Sequence, residues 1–527
     1  MENGRDTSRD GKENRREVFV LTHGAPLWKL AQRHPKVERY LNGRLVNIAS
    51  AKMPYRPNPF STMAAYTSWA SLTDKKFSGR HLPGSAEVPG LPAVDEVADL
   101  FVRPEGQFTP CPKSTVLFSY FAQWFTDGFL RSDRTPPPEG PDPRKNDSNH
   151  EIDLMQIYGL SPDVTDQLRS HEGGLLKSQS INGEEYPPYL YDENGDQKAE
   201  FDRVSWVHTR LTPPPPEKQA AFFAIGSDTG NLQLGFVMMN VLFLREHNRV
   251  ARELGRQYRD WDDDRLFETA RNVMIVLLIR IVVNEYINHI TPYLFEFKAD
   301  PASFRNPPWY RANWMAVEFN LVYRWHPLVP PDYRVGGRNV SIHDTLYETR
   351  MLTDNGLGML MEEASDQPAG KVGVFNTHPD LRGVQRWSVE KARAVQLGSY
   401  NDYRELCMFP RVTQFDQISG NAGVQRTLER LYGTVERIEF YSGLYAEDTR
   451  PNSVLPSLIG RMVGIDAFSQ AFTNPLLSPR VFNEATFSPA GMEIITSTKS
   501  LSDIVHRNVP GPDKYFVSLT RRDWRRQ

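Results

Sequence analysis

The sequence predicts a mainly α-helical fold. Long segments repeat apolar residues at helical spacing, no strand–helix alternation runs through the chain, and no internal repeat divides it. In chain order, residues 1–17 are charged, lack apolar periodicity and read as a disordered tail. Residues 18–70 read as amphipathic helices leading into the body. Within them, residues 26–50 (PLWKLAQRHPKVERYLNGRLVNIAS) mix Leu, Trp and Val with Lys and Arg. That mixture suits either packing on the body or a basic, partly apolar surface laid against lipid. Residues 71–527 form the body. Two proline tracts, Pro136–Pro138 and Pro213–Pro216, mark loops, because proline lacks the helix donor. From Leu232 the segment GNLQLGFVMMNVLFLREHNRVARELGRQYRDW reads as one long helix. After Asp262–Asp264, whose charges suit a helix start, LFETARNVMIVLLIRIVVNEYINHI reads as a second. It is apolar nearly all round and so belongs in the interior. EKARAVQLGSYNDYRELC and GVQRTLERLYGTVERIEFYSGLY also read as helices.

Composition narrows the function. The 527 residues carry a formal net charge of -3, which lacks the basic footprint of a nucleic-acid partner. Two cysteines, Cys111 and Cys407, are too few for a secreted disulfide framework and point to a reducing compartment. The N-terminus lacks the apolar core of a signal peptide, and the longest apolar runs fall short of the roughly 20 residues of a membrane span. The expectation is a cytoplasmic protein with, at most, peripheral membrane contact through residues 26–50.

The most informative segment is EFNLVYRWHPLVP, residues 318–330. On a continuous helix Tyr323 and His326, three apart, share a face. A histidine so placed can ligate a haem iron, and the phenol then lies at the edge of the macrocycle. Pro327 ends or bends the helix just beyond. By spacing alone a Tyr-x-x-His pair is commonly just packing.

The segment resembles the proximal helix of cyclooxygenases and fatty-acid dioxygenases, with Arg324 in the manner of fungal dioxygenases. Further motifs match in order: FSYFAQWFTDGF, IDLMQIYG, EEYPP, LREHNRV, INHITPYLF, SYNDYREL and LYGTVERIEFYSGLY. The chain is thus identified, from about residue 25 to 515, as a member of the cyclooxygenase/animal haem peroxidase superfamily. The resemblance implies a large helical domain over 71–527 that binds haem b, with His326 as axial iron ligand. It implies Tyr323 as a radical site that abstracts hydrogen from an unsaturated fatty acid, followed by addition of O2. REHNR within the long helix becomes a buried polar scaffold. Gly128, where animal peroxidases carry an acidic residue, argues against their calcium site. The cysteine-rich module of mammalian members is missing, and the oligomeric state stays open.

One departure matters. The family's distal helix carries Gln and, four residues on, His; here Gln123 is followed by Asp127. At i and i+4 both side chains are expected to look into the distal pocket. A histidine with a pKa near 6.5 shuttles protons both ways, whereas a carboxyl near about 3.9 does so poorly at neutral pH. Impaired peroxidase turnover is the expectation. For the substrate carboxylate the resemblance points to Arg44 and Tyr293, and Tyr286 is expected to hydrogen-bond the radical tyrosine. The channel wall falls in GIDAFSQAF, with Ala467 or Ser469 as the channel-facing residue. The alternatives are a haem peroxidase acting on a small or non-lipid substrate, and a haem-binding sensor. An apolar channel beside Tyr323 separates the first reading from these.

Overall fold

A computed structural model describes residues 19–50, 77–133, 135, 138–206, 214–304, 307, 309–310, 313–511 and 515–526. The tail expected over residues 1–17 and the segment 51–70 lie outside the described residues.

The elements that position the site are helices. α1 (Ala25–Gln32) and α2 (Pro35–Ala49) are the two short helices expected near the N-terminus. α3 (Val116–Asp127) starts where the Thr115 hydroxyl caps the Phe118 N–H at 3.3 Å. α4 (Leu234–Gln257) and α5 (Asp263–Ile281) are the long helices read from the sequence, and the Asp262 side chain caps the start of α5. α6 (Val317–Val322), α7 (Arg382–Ala394) and α8 (Ser457–Phe472) complete the frame. The strands are short antiparallel pairs: Pro110–Thr115 with Pro368–Gly370, Gln179–Ile181 with Glu184–Tyr186, and Asp332–Val335 with Arg338–Ser341. The buried apolar residues form one contiguous cluster through these helices.

REHNR does form a buried scaffold. Glu246 accepts from Arg249, Arg507 and Asn508, while His247 bonds the Tyr158 hydroxyl and the Gly174 carbonyl. Burial pushes the His247 imidazole down to about 4, so it is neutral.

Two local departures shape the site. α5 passes into one wide turn of π-helix, Val282–Ile287, which rotates Tyr286 inward to full burial. The continuous helix expected through His326 is not formed. α6 stops at Val322, and His326 begins a separate 3-10 turn, His326–Leu328. Pro327 stands four residues after Tyr323 and has no N–H to offer its carbonyl. The Trp325 N–H takes that carbonyl instead, at 2.9 Å. The Tyr445 hydroxyl covers the last helical carbonyls of Leu321 and Val322 at 3.2 and 3.3 Å. Tyr323 and His326 therefore do not share a helix face.

Candidate functional site

The site is built on α3 and the segment 318–328. One face of α3 is aromatic: Phe118, Phe121 and Phe125 pack on Tyr286 with ring centroids 5.4, 5.8 and 6.1 Å away. The other face carries Gln123, which is exposed, and Asp127. Gly128 lets the helix end close on IDLMQIYG, because a Cβ there would stand 2.6 Å from the Gln156 amide. That amide donates to the Trp124 carbonyl at 2.9 Å.

Asp127 does not present a free carboxylate to this face. It accepts from Arg131 at 2.8 Å, from Thr229 at 2.5 Å and from Ser227 at 3.3 Å. Arg131 is buried and also pairs with Asp228. Burial opposes its charge, but the two carboxylates outweigh that and hold the guanidinium above its ordinary pKa. An aspartate so committed is a poor proton carrier. Breaking the pair strands two carboxylates, so Arg131→Met should lower stability by about 3 kcal/mol. Chemical denaturation measures it; an unchanged midpoint and slope would show the pair to be dispensable.

On the other side, Glu318 anchors α6 from within. Its carboxylate accepts the His81 backbone N–H and the Tyr403 hydroxyl, both at 2.8 Å, and burial raises its pKa. Tyr323 then emerges at the helix end, stacked on Trp325 (4.6 Å, 26°) and edge-on to Phe319 (4.8 Å). Burial raises its phenol above the ordinary range, and the Asp466 charge adds to this, so the hydroxyl stays protonated. Tyr286 faces Tyr323 closely enough that each phenol bears on the other's ionisation. The phenol–phenol interaction raises the Tyr286 hydroxyl and tempers the rise at Tyr323. Trp325 links the two faces, lying 6.0 Å from Phe118 and 6.3 Å from Tyr286.

His326 carries the feature an iron ligand needs. Burial drives its pKa to about 3, with the Arg324 charge adding and the Gln385 amide opposing. The imidazole is neutral, and its buried Nδ1 has no hydrogen-bond partner.

Tyr293 lines a narrow, mainly apolar cavity of about 40 Å3, partly open to solvent. Leu45, Ile287, Phe297, Val463 and Phe468 form its walls, and among the described residues that line it Arg461 is the cation. Arg44 is exposed and lines no part of it. Neither Ala467 nor Ser469 faces the cavity; Phe468 does, and the Ser469 hydroxyl turns back to the Asp466 carbonyl at 3.0 Å. Arg44, Ala467 and Ser469 thus lie outside the lining of this cavity. Arg461 was legible as the lone cation of the apolar run SLIGRMVGIDAF, but its facing was not.

A neutral, half-buried imidazole and a protonated, half-buried phenol one tight turn away suit a haem oxidoreductase of peroxidase type. Residues 110–517 match the family described as animal haem peroxidase. The chain is 30% identical over 506 residues to prostaglandin G/H synthase 2 of Equus caballus, covering 94% of this chain and 80% of that protein. It is 32% identical over 508 residues to prostaglandin G/H synthase 1 of Rattus norvegicus, covering 93% and 80%. In three dimensions it superimposes on the fatty acid alpha-dioxygenase of Oryza sativa with a TM-score of 0.71 at 15% identity, covering 98% of this chain and 99% of that one. The chain belongs to the animal haem peroxidase family, as a cyclooxygenase-like member, and its fold is that family's helical one. Members of that family bind haem, and the partnerless Nδ1 and neutral ring of His326 fit an axial ligand.

Proposed function

We propose that the protein is a haem-dependent fatty-acid dioxygenase that works through a Tyr323 radical. The observation that carries this reading is the placement of Tyr323: it is stacked on Trp325, one tight turn before His326, and faces Tyr286, next in sequence to the cavity-lining Ile287. The prostaglandin synthase and alpha-dioxygenase relatives support the same reading.

In this reading His326 holds the iron of haem b, and bound haem supplies a one-electron oxidising equivalent derived from peroxide. Tyr323 gives up an electron and its phenolic proton. The phenoxyl radical then takes a hydrogen atom from an allylic or α carbon of the lipid, which restores the phenol. The carbon radical adds O2, and the peroxyl radical takes the hydrogen atom back from the Tyr323 phenol, which gives the hydroperoxide and regenerates the tyrosyl radical. Tyr286 borders the phenol and keeps water from it. Gln123, on the open face of α3, contacts the peroxide. Asp127, tied to Arg131, lends little acid–base help, so two-electron peroxidase turnover is slow. The test is oxygen uptake by the haem-loaded protein with saturated and unsaturated fatty acids of graded length. Uptake on none of them, with rapid oxidation of a small reductant, would replace this reading by a peroxidase.

The carboxylate head is held by Arg461 and Tyr293 rather than Arg44. An Arg fork suits a carboxylate, and such charged hydrogen bonds contribute about 1.5–3 kcal/mol each. Arg461→Met should therefore raise KM for a fatty acid by roughly 10- to 100-fold. It should leave the matching fatty alcohol unaffected, and Arg44→Met should change neither. Equal effects on acid and alcohol would refute the assignment.

Among the described residues no helix is long and apolar enough to cross a membrane. α1 and α2 nevertheless leave Leu27 72%, Leu30 54% and Tyr40 65% exposed beside Lys29, Arg33 and Lys36. Such a surface suits peripheral contact with an anionic bilayer, through which a lipid substrate would arrive. Co-sedimentation with phosphatidylserine vesicles should be lost in Leu27→Glu/Leu30→Glu; binding that survives the double change would exclude this surface.

A further inference from the structure

Two cations converge beside His326 in a way that the chemistry above does not use. Lys391, on α7, is buried to 4% exposure. Its ammonium donates to the Ser132 hydroxyl at 2.8 Å and stands 5.4 Å from the Trp387 ring. Arg324, two residues before His326, reaches the same hydroxyl at 3.4 Å. Its guanidinium lies 4.7 Å over the same Trp387 ring and donates to the Asn320 amide oxygen at 2.8 Å.

Two like charges sharing one neutral hydroxyl repel each other, and burial adds a desolvation penalty for Lys391. Burial and the Arg324 charge push the Lys391 ammonium down to about 7. Three aspartates attract it from a distance, but they have nearer partners. Asp142 is engaged with Arg144, and Asp133 holds Thr135 and the Asp142 N–H. Asp147 contributes only through space. Among the described residues no carboxylate lies within 4.0 Å of Lys391. A buried ammonium held by a neutral hydroxyl is relieved by an anion brought in from outside.

The position says which anion. Ser132 follows α3 by five residues, and Arg324 precedes His326 by two. The cluster thus joins the end of α3 to the segment that carries His326. We propose that Lys391 and Arg324, organised by Ser132, bind the propionate groups of haem and so fix the rotation of the macrocycle above His326. Each propionate presents a carboxylate, which accepts hydrogen bonds from an ammonium or a guanidinium. Nothing in the sequence marks Lys391 for this role, because EKARA reads as an ordinary charged helix surface.

The inference rests on the reading of His326 as the iron-bearing histidine, and the test separates the two. Protein is loaded either with haem b or with the dimethyl ester of the same macrocycle, and transfer to excess apomyoglobin is followed at the Soret band. Wild-type protein should lose the ester roughly 10- to 100-fold faster than haem b. Lys391→Met should speed the loss of haem b by a similar factor and leave the ester unchanged, and Lys391→Arg should restore retention. Circular dichroism of each variant checks the fold. If Lys391→Met does not fold, the ester comparison on the wild-type protein and the Lys391→Arg variant still decide. Equal retention of haem b and ester by the wild-type protein overturns the proposal while leaving His326 in place. Failure of the wild-type protein to form a Soret band with either overturns both.

Discussion

Replacing Tyr323 by Phe should abolish lipid-dependent oxygen uptake while leaving the haem spectrum intact. The substitution removes one oxygen atom. The stack on Trp325 at 4.6 Å and the edge contact with Phe319 belong to the ring and are retained. What is lost is the O–H bond that gives up a hydrogen atom and takes one back, and a phenylalanine ring offers no such bond. The rate should fall by about a thousandfold or more, equivalent to roughly 4 kcal/mol of barrier. The control is Tyr286→Phe. It removes a phenol from the same aromatic cluster and should reduce the rate far less, because that hydroxyl borders the radical site without carrying it. An oxygen electrode measures both, and electron paramagnetic resonance after peroxide addition looks for a tyrosyl signal in wild-type and Tyr286→Phe protein alone. Substantial uptake by Tyr323→Phe would transfer the radical to another side chain, and Trp325 would be the first to examine.

The second large effect is expected at His326. His326→Ala should eliminate the Soret band of the reconstituted protein, and added imidazole should recover part of it. The imidazole is held neutral by burial, at a pKa of about 3, so no proton need be displaced before a ring nitrogen meets iron. Its Nδ1 has no partner in the protein, so truncation breaks no buried hydrogen bond at that atom. Stability of the apoprotein should consequently change by only about 1 kcal/mol or less. Loss of haem without loss of fold would be the signature of a ligand. If His326→Ala retained a normal Soret band, the axial ligand would lie elsewhere, and the Tyr323–Trp325 path would lose its destination. If it lost both haem and fold, His326 would be a packing residue and the alanine result could not support ligation.

How far the sequence reached differs between elements for physical reasons. α3, α4 and α5 were legible because each is written in local terms: a run of apolar residues at helical spacing, a capping Thr115 or Asp262, and sufficient length. The family and its haem chemistry were legible because the order of motifs around Tyr323 and His326 is specific. The break between those two residues was only half legible. Pro327 announced an ending, but the position of that ending depends on the Tyr445 hydroxyl, which arrives from more than a hundred residues away. The side-chain destinations were hidden in the same manner. Asp127 and Arg131 stand four apart and could be paired on paper, yet Ser227, Thr229 and Asp228 come from a distant turn. Those groups convert a candidate proton carrier into a fixed ion-pair partner.

By itself, then, the sequence determined the helical class, the family, and the identity of Tyr323 and His326 as the residues of interest, because these rest on local periodicity and on ordered motifs. Only the tertiary structure decided which cation meets the cavity, which residue of α8 faces it, and that Lys391 and Arg324 share one hydroxyl. Helical phase and long-range packing fix such facings. A one-residue difference within GIDAFSQAF rotates a side chain by about 100° around the helix, which is enough to set Phe468 in the cavity and to turn Ser469 away from it.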